Sequence, residues 1–330
     1  MKEICLGTIG SGSIVHHILD NVQKLDGIRL CAVYSRTIER AKELGEAYGC
    51  TELYTNLDQL LSNETVNTIY IASPNLLHYE QARKALEAGK HVWCEKPFTT
   101  DPEKASELIR LAEEKGLYLV ETAPTTFLPN YRLLKRALQQ IGRVRLVMGS
   151  YSQYSARYDM LKRGELPNIF NPELAGGCLM DINFYNIHLC CALFGRPDRA
   201  FYYPNRFPGV ECDTSGIAVL EYADFKAVCS GAKDTWGDNA FQIQGEDGYI
   251  TVLDGASCLS EIKLATREDN QTKSHQPETD RWFYEVQELT RMFLEDDAEA
   301  IASRHQIILD TVSVMTELRQ SAGIRFPGEA

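Results

Sequence analysis

The first 122 residues alternate short apolar runs with stretches of helical spacing, and that rhythm limits the possible folds more than any other feature. "EICLGTI" runs into glycines, and "SIVHHILDNVQKL" follows with helical periodicity. "IRLCAVYS" is apolar again, and "TIERAKELGEAYG" ends a second helix on a glycine. "TVNTIYIAS", "KHVWCE" and "LYLVE" continue the strands, while "LLHYEQARKALEAG" and "DPEKASELIRLAEEKG" continue the helices. In the last of these, Asp101 is the expected N-cap and Pro102 the first helical residue. Near-continuous apolar strands separated by helices predict a parallel sheet covered on both faces. Right-handed crossovers then make it a doubly wound α/β fold.

The rhythm changes after Glu121. A helix, "LPNYRLLKRALQQ", leads into a long alternating strand, "RVRLVMGSYSQYS", and then a Gly-rich loop and a helix at 176–194. "AFYYPNRF", "TSGIAVLEY", "FKAVCSG", "AFQIQG" and "YITVLDG" follow as strands without intervening helices, with "YADF" and "GEDGY" as turns. This predicts a C-terminal α+β domain built on a large, mostly antiparallel open sheet. Residues 266–280 read as a polar loop, and two helical stretches end the chain. With 330 residues, two domains are expected, divided as 1–122 and 123–330.

No run of 18 apolar residues occurs, and the N-terminus enters a strand pattern at once, so no membrane span and a cytoplasmic location are expected. The ten cysteines have no metal-ligand spacing and read as small core residues in a reducing compartment. A net charge of −12 argues against non-specific nucleic-acid binding, so positive charge for an anionic ligand has to be local.

Such local features are present. "GTIGSGSIV" follows the first strand and opens the first helix, and Gly10-x-Gly12-x-x-Val15 nearly fits a dinucleotide fingerprint. Gly10 makes the tight turn, Gly12 lets the backbone approach a pyrophosphate, and Ser13 and Ile14 offer amides at the helix N-terminus. At the end of the second strand an NAD site prefers an acid, but here Ser35 and Arg36 stand there, with Arg40 one turn on. A hydroxyl and guanidinium groups suit a 2′-phosphate, which points to NADP, with NAD possible.

"IYIASPNLLHYEQARKALEAGKHVWCEKP" and "AGGCLMDINFYNIHLCCALFG", in that order after the glycine loop, resemble the Gfo/Idh/MocA family of NAD(P)-dependent oxidoreductases over essentially the whole chain. The resemblance implies an N-terminal Rossmann domain and a C-terminal domain whose open sheet often forms a dimer interface. It implies hydride transfer on sugars, polyols and related alcohols or carbonyls. Lys96 matches the lysine beside the nicotinamide and substrate oxygen, and in relatives its bond to Pro97 is often cis. Ser73, Pro74, Asn75 and His78 match the loop beside the nicotinamide ribose, and Glu95 precedes the lysine. Asp181 and Tyr185 match the pair of the substrate site. Val15 replaces a Gly or Ala, and Asn183 stands where many relatives have Gly.

Hydride transfer from an alcohol needs an acid/base group at the hydroxyl and a cation to stabilise the alkoxide, and Lys96 can serve as either. Asp181, Tyr185 and His188, spaced i, i+4, i+7, fall on one face of a helix. Asp181 can orient Lys96 or bind a substrate hydroxyl, and Tyr185 can donate the proton. For His188 a structural role is equally open. Tyr154, Arg157 and Tyr158 either line a sugar site or make surface contacts. The resulting expectation is a dehydrogenase or reductase acting on CH–OH groups of a sugar-like substrate, assembled as a homodimer or higher oligomer. Its alternatives are an NAD-dependent glycosidase of the same family and a non-catalytic nucleotide sensor.

Overall fold

The computed structural model describes residues 3–329. The chain divides into two compact units, one of residues 1–123 and 282–309, the other of residues 124–281 and 310–330.

The first unit carries six strands, β1 (Ile4–Ile9), β2 (Ile28–Tyr34), β3 (Leu53–Tyr54), β4 (Thr68–Ile71), β5 (His91–Glu95) and β6 (Leu119–Thr122), all parallel. Between them run helices α1 (Ser13–Val22), α2 (Ile38–Tyr48), α3 (Leu57–Leu61), α4 (His78–Glu87) and α5 (Pro102–Glu114). The spatial order is β3-β2-β1-β4-β5-β6, so the chain reverses direction between β1 and β4, where ligands bind in such sheets. Every residue of β1 and β4 is buried, as a sheet covered on both faces requires. Asp101 caps α5 as expected, its carboxylate accepting from the Glu103 amide at 2.8 Å.

The pair β3 and α3 is absent from the sequence reading. β3 is two residues long at the sheet edge, and α3 is five residues held by Asn56, whose side chain accepts from the Asp58 and Gln59 amides. Neither is long enough to show a period.

A single division at 122/123 places residues 282–309 with the C-terminal domain, whereas they group with the first unit. Helix α9 (Arg281–Leu294) explains this, since Trp282 stacks on His17 at 4.2 Å and Phe293 sets its ring edge-on against His91 and Tyr118. Helix α10 (Ala298–Ser321) has its residues to 309 in the first unit and the remainder in the second.

The second unit contains α6 (Pro129–Leu138), α7 (Ala156–Lys162) and α8 (Phe184–Phe194) with an eight-stranded sheet. Its strands are β7 (Val144–Ser152), β8 (Arg199–Arg206), β9 (Asp213–Glu221), β10 (Lys226–Ala232), β11 (Ala240–Gly245), β12 (Gly248–Leu253), β13 (Ile262–Thr266) and β14 (Asn270–Lys273). The order is β14-β13-β12-β11-β7-β10-β9-β8, antiparallel except where β7 meets β10. The expected polar loop at 266–280 therefore holds an edge strand. β14 reads "NQTK", has no apolar alternation, and is defined only by its ladder to β13.

One face of this sheet is buried, with Val147, Ala218, Leu220, Phe241 and Ile243 at 0% exposure. On the other face Phe201, Val219, Val228 and Met148 form a continuous cross-strand row, and Tyr203 pairs with Ile217 in the next. Residues 172–194 have a mean hydropathy of 1.2 over an 18-residue window, 78% of it buried within the protein, as for a core helix.

Candidate active site

In the first unit the glycine loop leaves β1 beside the end of β4. Gly10 has φ 117°, and a Cβ there would lie 2.4 Å from the Ala72 carbonyl oxygen, so only glycine fits the turn. Gly12 has open space instead, with no atom within 4 Å of a Cβ. It is the N-cap of α1 and offers no side chain to the first turn. The amides of Ser13 and Ile14 precede the first helical hydrogen bond, from Val15 N–H to Gly12 O at 3.0 Å. A bare helix N-terminus under an open glycine fits a pyrophosphate. Val15 is fully buried, so its larger side chain is absorbed by the core.

The Ser11 and Ser35 hydroxyls lie 3.5 Å apart, joining this loop to the end of β2. Arg36 and Arg40 are exposed, and among the described residues no carboxylate pairs with either. The residues present therefore fit a dinucleotide with a phosphate on its adenosine ribose.

At the end of β5, Glu95 is buried and accepts from the Tyr70 and Thr122 hydroxyls, both at 2.8 Å. Burial raises its pKa, opposed by the charge of Lys96 and the two hydroxyl donors. Glu121, next to it on β6, accepts from the Phe98 amide at 2.8 Å, and burial pushes it up to about 8. Lys96 is half-buried at the strand end, and its bond to Pro97 is cis. Ser73 donates to Gln81 at 2.7 Å, and Asn75 opens a short 3-10 turn.

His78 differs from expectation. Its Nδ1 faces the Pro97 carbonyl at 3.0 Å and its Nε2 the Ser73 carbonyl at 2.9 Å, and the residue is 1% exposed. Burial lowers its pKa, opposed by these backbone bonds. The imidazole ties the 73–78 loop to the Lys96–Pro97 turn and positions it; its own nitrogens are both engaged.

In the second unit Asp181 lies in a π-helical turn, Leu179–Asn183, that precedes α8. This corrects the expectation of one regular helical face through Asp181, Tyr185 and His188, because an i→i+5 turn offsets Asp181 from the face of α8. Asp213 holds the turn in place by accepting from the Leu179 amide at 2.7 Å and from the Tyr202 hydroxyl at 2.6 Å. Burial raises Asp213 to about 6 despite those donors. Asn183, the departure at the family's glycine position, donates to the Cys229 carbonyl at 3.0 Å. It sits over Gly231, where a Cβ would come within 2.6 Å of its own Cβ. The asparagine docks the turn onto β10.

Asp181 accepts a hydrogen bond from Lys233, a residue the sequence reading did not find. The Lys233 side chain is 6% exposed and that of Asp181 27%. Tyr185 is buried beside Tyr151, with the Arg281 guanidinium 5.3 Å above its ring. His188 is buried and stacks on Phe184.

Residues 4–122 match the oxidoreductase family with an NAD-binding Rossmann fold, GFO/IDH/MocA, and residues 131–251 match the GFO/IDH/MocA C-terminal domain. The chain belongs to the Gfo/Idh/MocA family. It is 36% identical to the scyllo-inositol 2-dehydrogenase (NADP(+)) IolU of Bacillus subtilis, over 97% of this chain and 98% of that protein. It is 28% identical to the D-xylose 1-dehydrogenase (NADP(+)) 2 of Haloferax volcanii, over 87% of each. The 3-ketoreductase KijD10 of Actinomadura kijaniata, solved with NADP and TDP-benzene, shares the fold with a TM-score of 0.83 at 22% identity, covering 97% of this chain and 98% of that one.

As a family member the chain is an NAD(P)-dependent oxidoreductase with a Rossmann domain. All ten cysteines are free thiols, and nine are buried. Tyr154 precedes the Ser155 cap of α7, and Arg157 and Tyr158 lie in the first turn of that helix, which is too short to show a period in the sequence. Its Ser155 cap, accepting from the Arg157 amide at 3.2 Å, was the available signal. Lys233 had a weaker one: a lysine directly after the apolar strand "FKAVCSGA".

Proposed function

We propose that this protein is an NADP-preferring dehydrogenase or reductase acting on a cyclic polyol or sugar. The observation that carries the cofactor choice is the end of β2, where Ser35 is buried beside the glycine loop and two arginines, without carboxylate partners among the described residues, replace the acid of an NAD site. The names of the Bacillus and Haloferax relatives, both NADP-linked and both acting on a polyol or sugar, support the same choice.

The nicotinamide, when bound, accepts or supplies the hydride. Lys96 exchanges the hydroxyl proton and stabilises developing charge on the substrate oxygen. Glu95, held by Tyr70 and Thr122, is raised by burial, and the charge of Lys96 opposes that rise. In the second unit Asp181, paired with Lys233, accepts from a substrate hydroxyl, and Tyr185 offers a hydroxyl donor in the same unit. A second copy of the chain covers the open face of the eight-stranded sheet, where Tyr203 at 64% exposure, Met148 at 50% and Ile217 at 46% stand out among the apolar residues of that face.

Fluorescence titration of the wild type with NADPH and NADH tests the cofactor reading. NADPH binding at least about tenfold tighter is expected, the ratio that about 1.4 kcal/mol provides. Equal affinities would refute it.

A further inference from the structure

Arg281 opens α9 yet groups with the second unit, whereas Trp282 and the residues that follow it group with the first. Its guanidinium is half-buried and turned onto Tyr185, 5.3 Å from the centroid of that ring. A guanidinium nitrogen donates to the Ser257 carbonyl at 3.1 Å. The loop that offers this carbonyl is itself pinned. The Thr125 hydroxyl donates to the Ala256 carbonyl at 2.8 Å, and Asn130 donates to the Leu259 carbonyl at 2.7 Å. An anchored loop therefore fixes the cation at a distance where its charge acts on an aromatic ring.

Tyr185 is equally constrained. It is 5% exposed, Tyr151 of β7 packs against its ring at 5.8 Å, and Phe184 meets it edge-on at 5.8 Å. The titratable groups around this pair are Tyr151, Cys258 in the loop between β12 and β13, and Asp280 beside Arg281 in the chain. Asp181 and His188 lie along the helical segment of Tyr185 itself. Burial lowers the Arg281 pKa, and the phenols of Tyr185 and Tyr151 raise it by more, so the guanidinium stays charged. The coupling is reciprocal, because a cation that gains from a phenolate favours that phenolate in turn.

We propose that Arg281 is a positioning residue for Tyr185, fixing its ring and stabilising its phenolate so that the phenol is a stronger proton donor. This rests on the reading of Tyr185 as the hydroxyl donor of the second unit. When the phenol gives its proton to a substrate oxygen, its O–H bond breaks, the electron pair stays on Tyr185, and a new O–H bond forms on the substrate. The phenolate left behind is the species the guanidinium favours, and water returns the proton afterwards. In the oxidative direction the same phenolate is the base that takes the hydroxyl proton.

The test is pH titration by NMR of the full chain labelled with ¹³Cζ-tyrosine, with Tyr185→Phe to identify the Tyr185 signal. Arg281→Met and Arg281→Gln remove the charge, the second keeping a donor for the Ser257 carbonyl, and Arg281→Lys keeps the charge. The Tyr185 midpoint should rise by at least about one pH unit in either neutral variant, a tenfold loss of acidity, and Arg281→Lys should restore most of it. A purely structural Arg281 would alter Tm and leave that midpoint in place. NADP-linked oxidation of polyols is the second readout. There kcat rises as the phenolate forms, so the rise should move up in pH with the midpoint. A shifted midpoint without turnover of any polyol would uphold the coupling and overturn the dehydrogenase reading. Turnover by a protein whose Tyr185 titrates no earlier in the wild type than in the folded neutral variants would overturn the coupling and leave that reading intact. Neither a shift nor turnover would overturn both.

Discussion

The two units hold their key acids by opposite means. In the first, Glu95 receives two neutral hydroxyls, from Tyr70 and Thr122, and is followed directly in sequence by Lys96. In the second, Asp181 receives an ammonium from Lys233, 52 residues away. The first arrangement places a half-buried lysine at a strand end, beside a carboxyl that burial raises. The second pairs the carboxylate directly with an ammonium from the end of a distant strand. The contrast suits a proton-handling group in one unit and a hydroxyl-binding group in the other.

The largest expected effect of breaking this contrast lies at Lys96. Lys96→Met should leave NADPH bound but lower turnover by ~10²–10⁴-fold, the usual contribution of a positioned acid/base. Single-turnover kinetics alongside a cofactor titration separates the two. Lys233→Met removes the ammonium beside Asp181 and should destabilise the protein by about 3 kcal/mol, the lower end for breaking a buried pair. Asp181→Asn keeps the shape and should cost less stability while weakening substrate binding; urea melts and KM values read both. Arg36→Ala should cost ~1.5–3 kcal/mol of NADPH affinity, as for a hydrogen bond to a charged group, and leave NADH unchanged.

A smaller effect distinguishes the units by pH. Burial raises Glu121 from 4.5 to about 8 in the first unit and Asp213 from 3.8 to about 6 in the second. A carboxyl raised on folding contributes stability that is full below its unfolded pKa and lost as pH rises through the folded one. Glu121→Gln should therefore flatten the decline of Tm between pH 4.5 and about 8, and Asp213→Asn that between pH 3.8 and about 6. Thermal melts across both windows measure this, and unchanged slopes would contradict the burial of these acids.

The same contrast explains what the sequence made legible. The parallel sheet, the glycine loop and Glu95-Lys96-Pro97 were readable because each is local: a period, a turn or three adjacent residues. The Asp101 cap was readable for the same reason. Lys233 was not, because its meaning comes from a long-range contact with Asp181. The π-turn was not, because its register depends on Asp213 and Asn183 docking from elsewhere in the fold. β14 is polar throughout and exists only as a partner of β13. Helix α9 was found as a helix, yet its place with the first unit depends on His17 and His91 packing against Trp282 and Phe293.

The most direct test is a spectrophotometric assay at 340 nm of the wild type with NADP and, in parallel, NAD, against scyllo-inositol, xylose and other polyols and sugars. NADP-linked oxidation of at least one cyclic polyol or sugar, faster than with NAD at equal cofactor concentration, is the predicted result. Cofactor that stays bound through purification with no net reduction on any of them would contradict it and favour a glycosidase that oxidises its substrate only transiently.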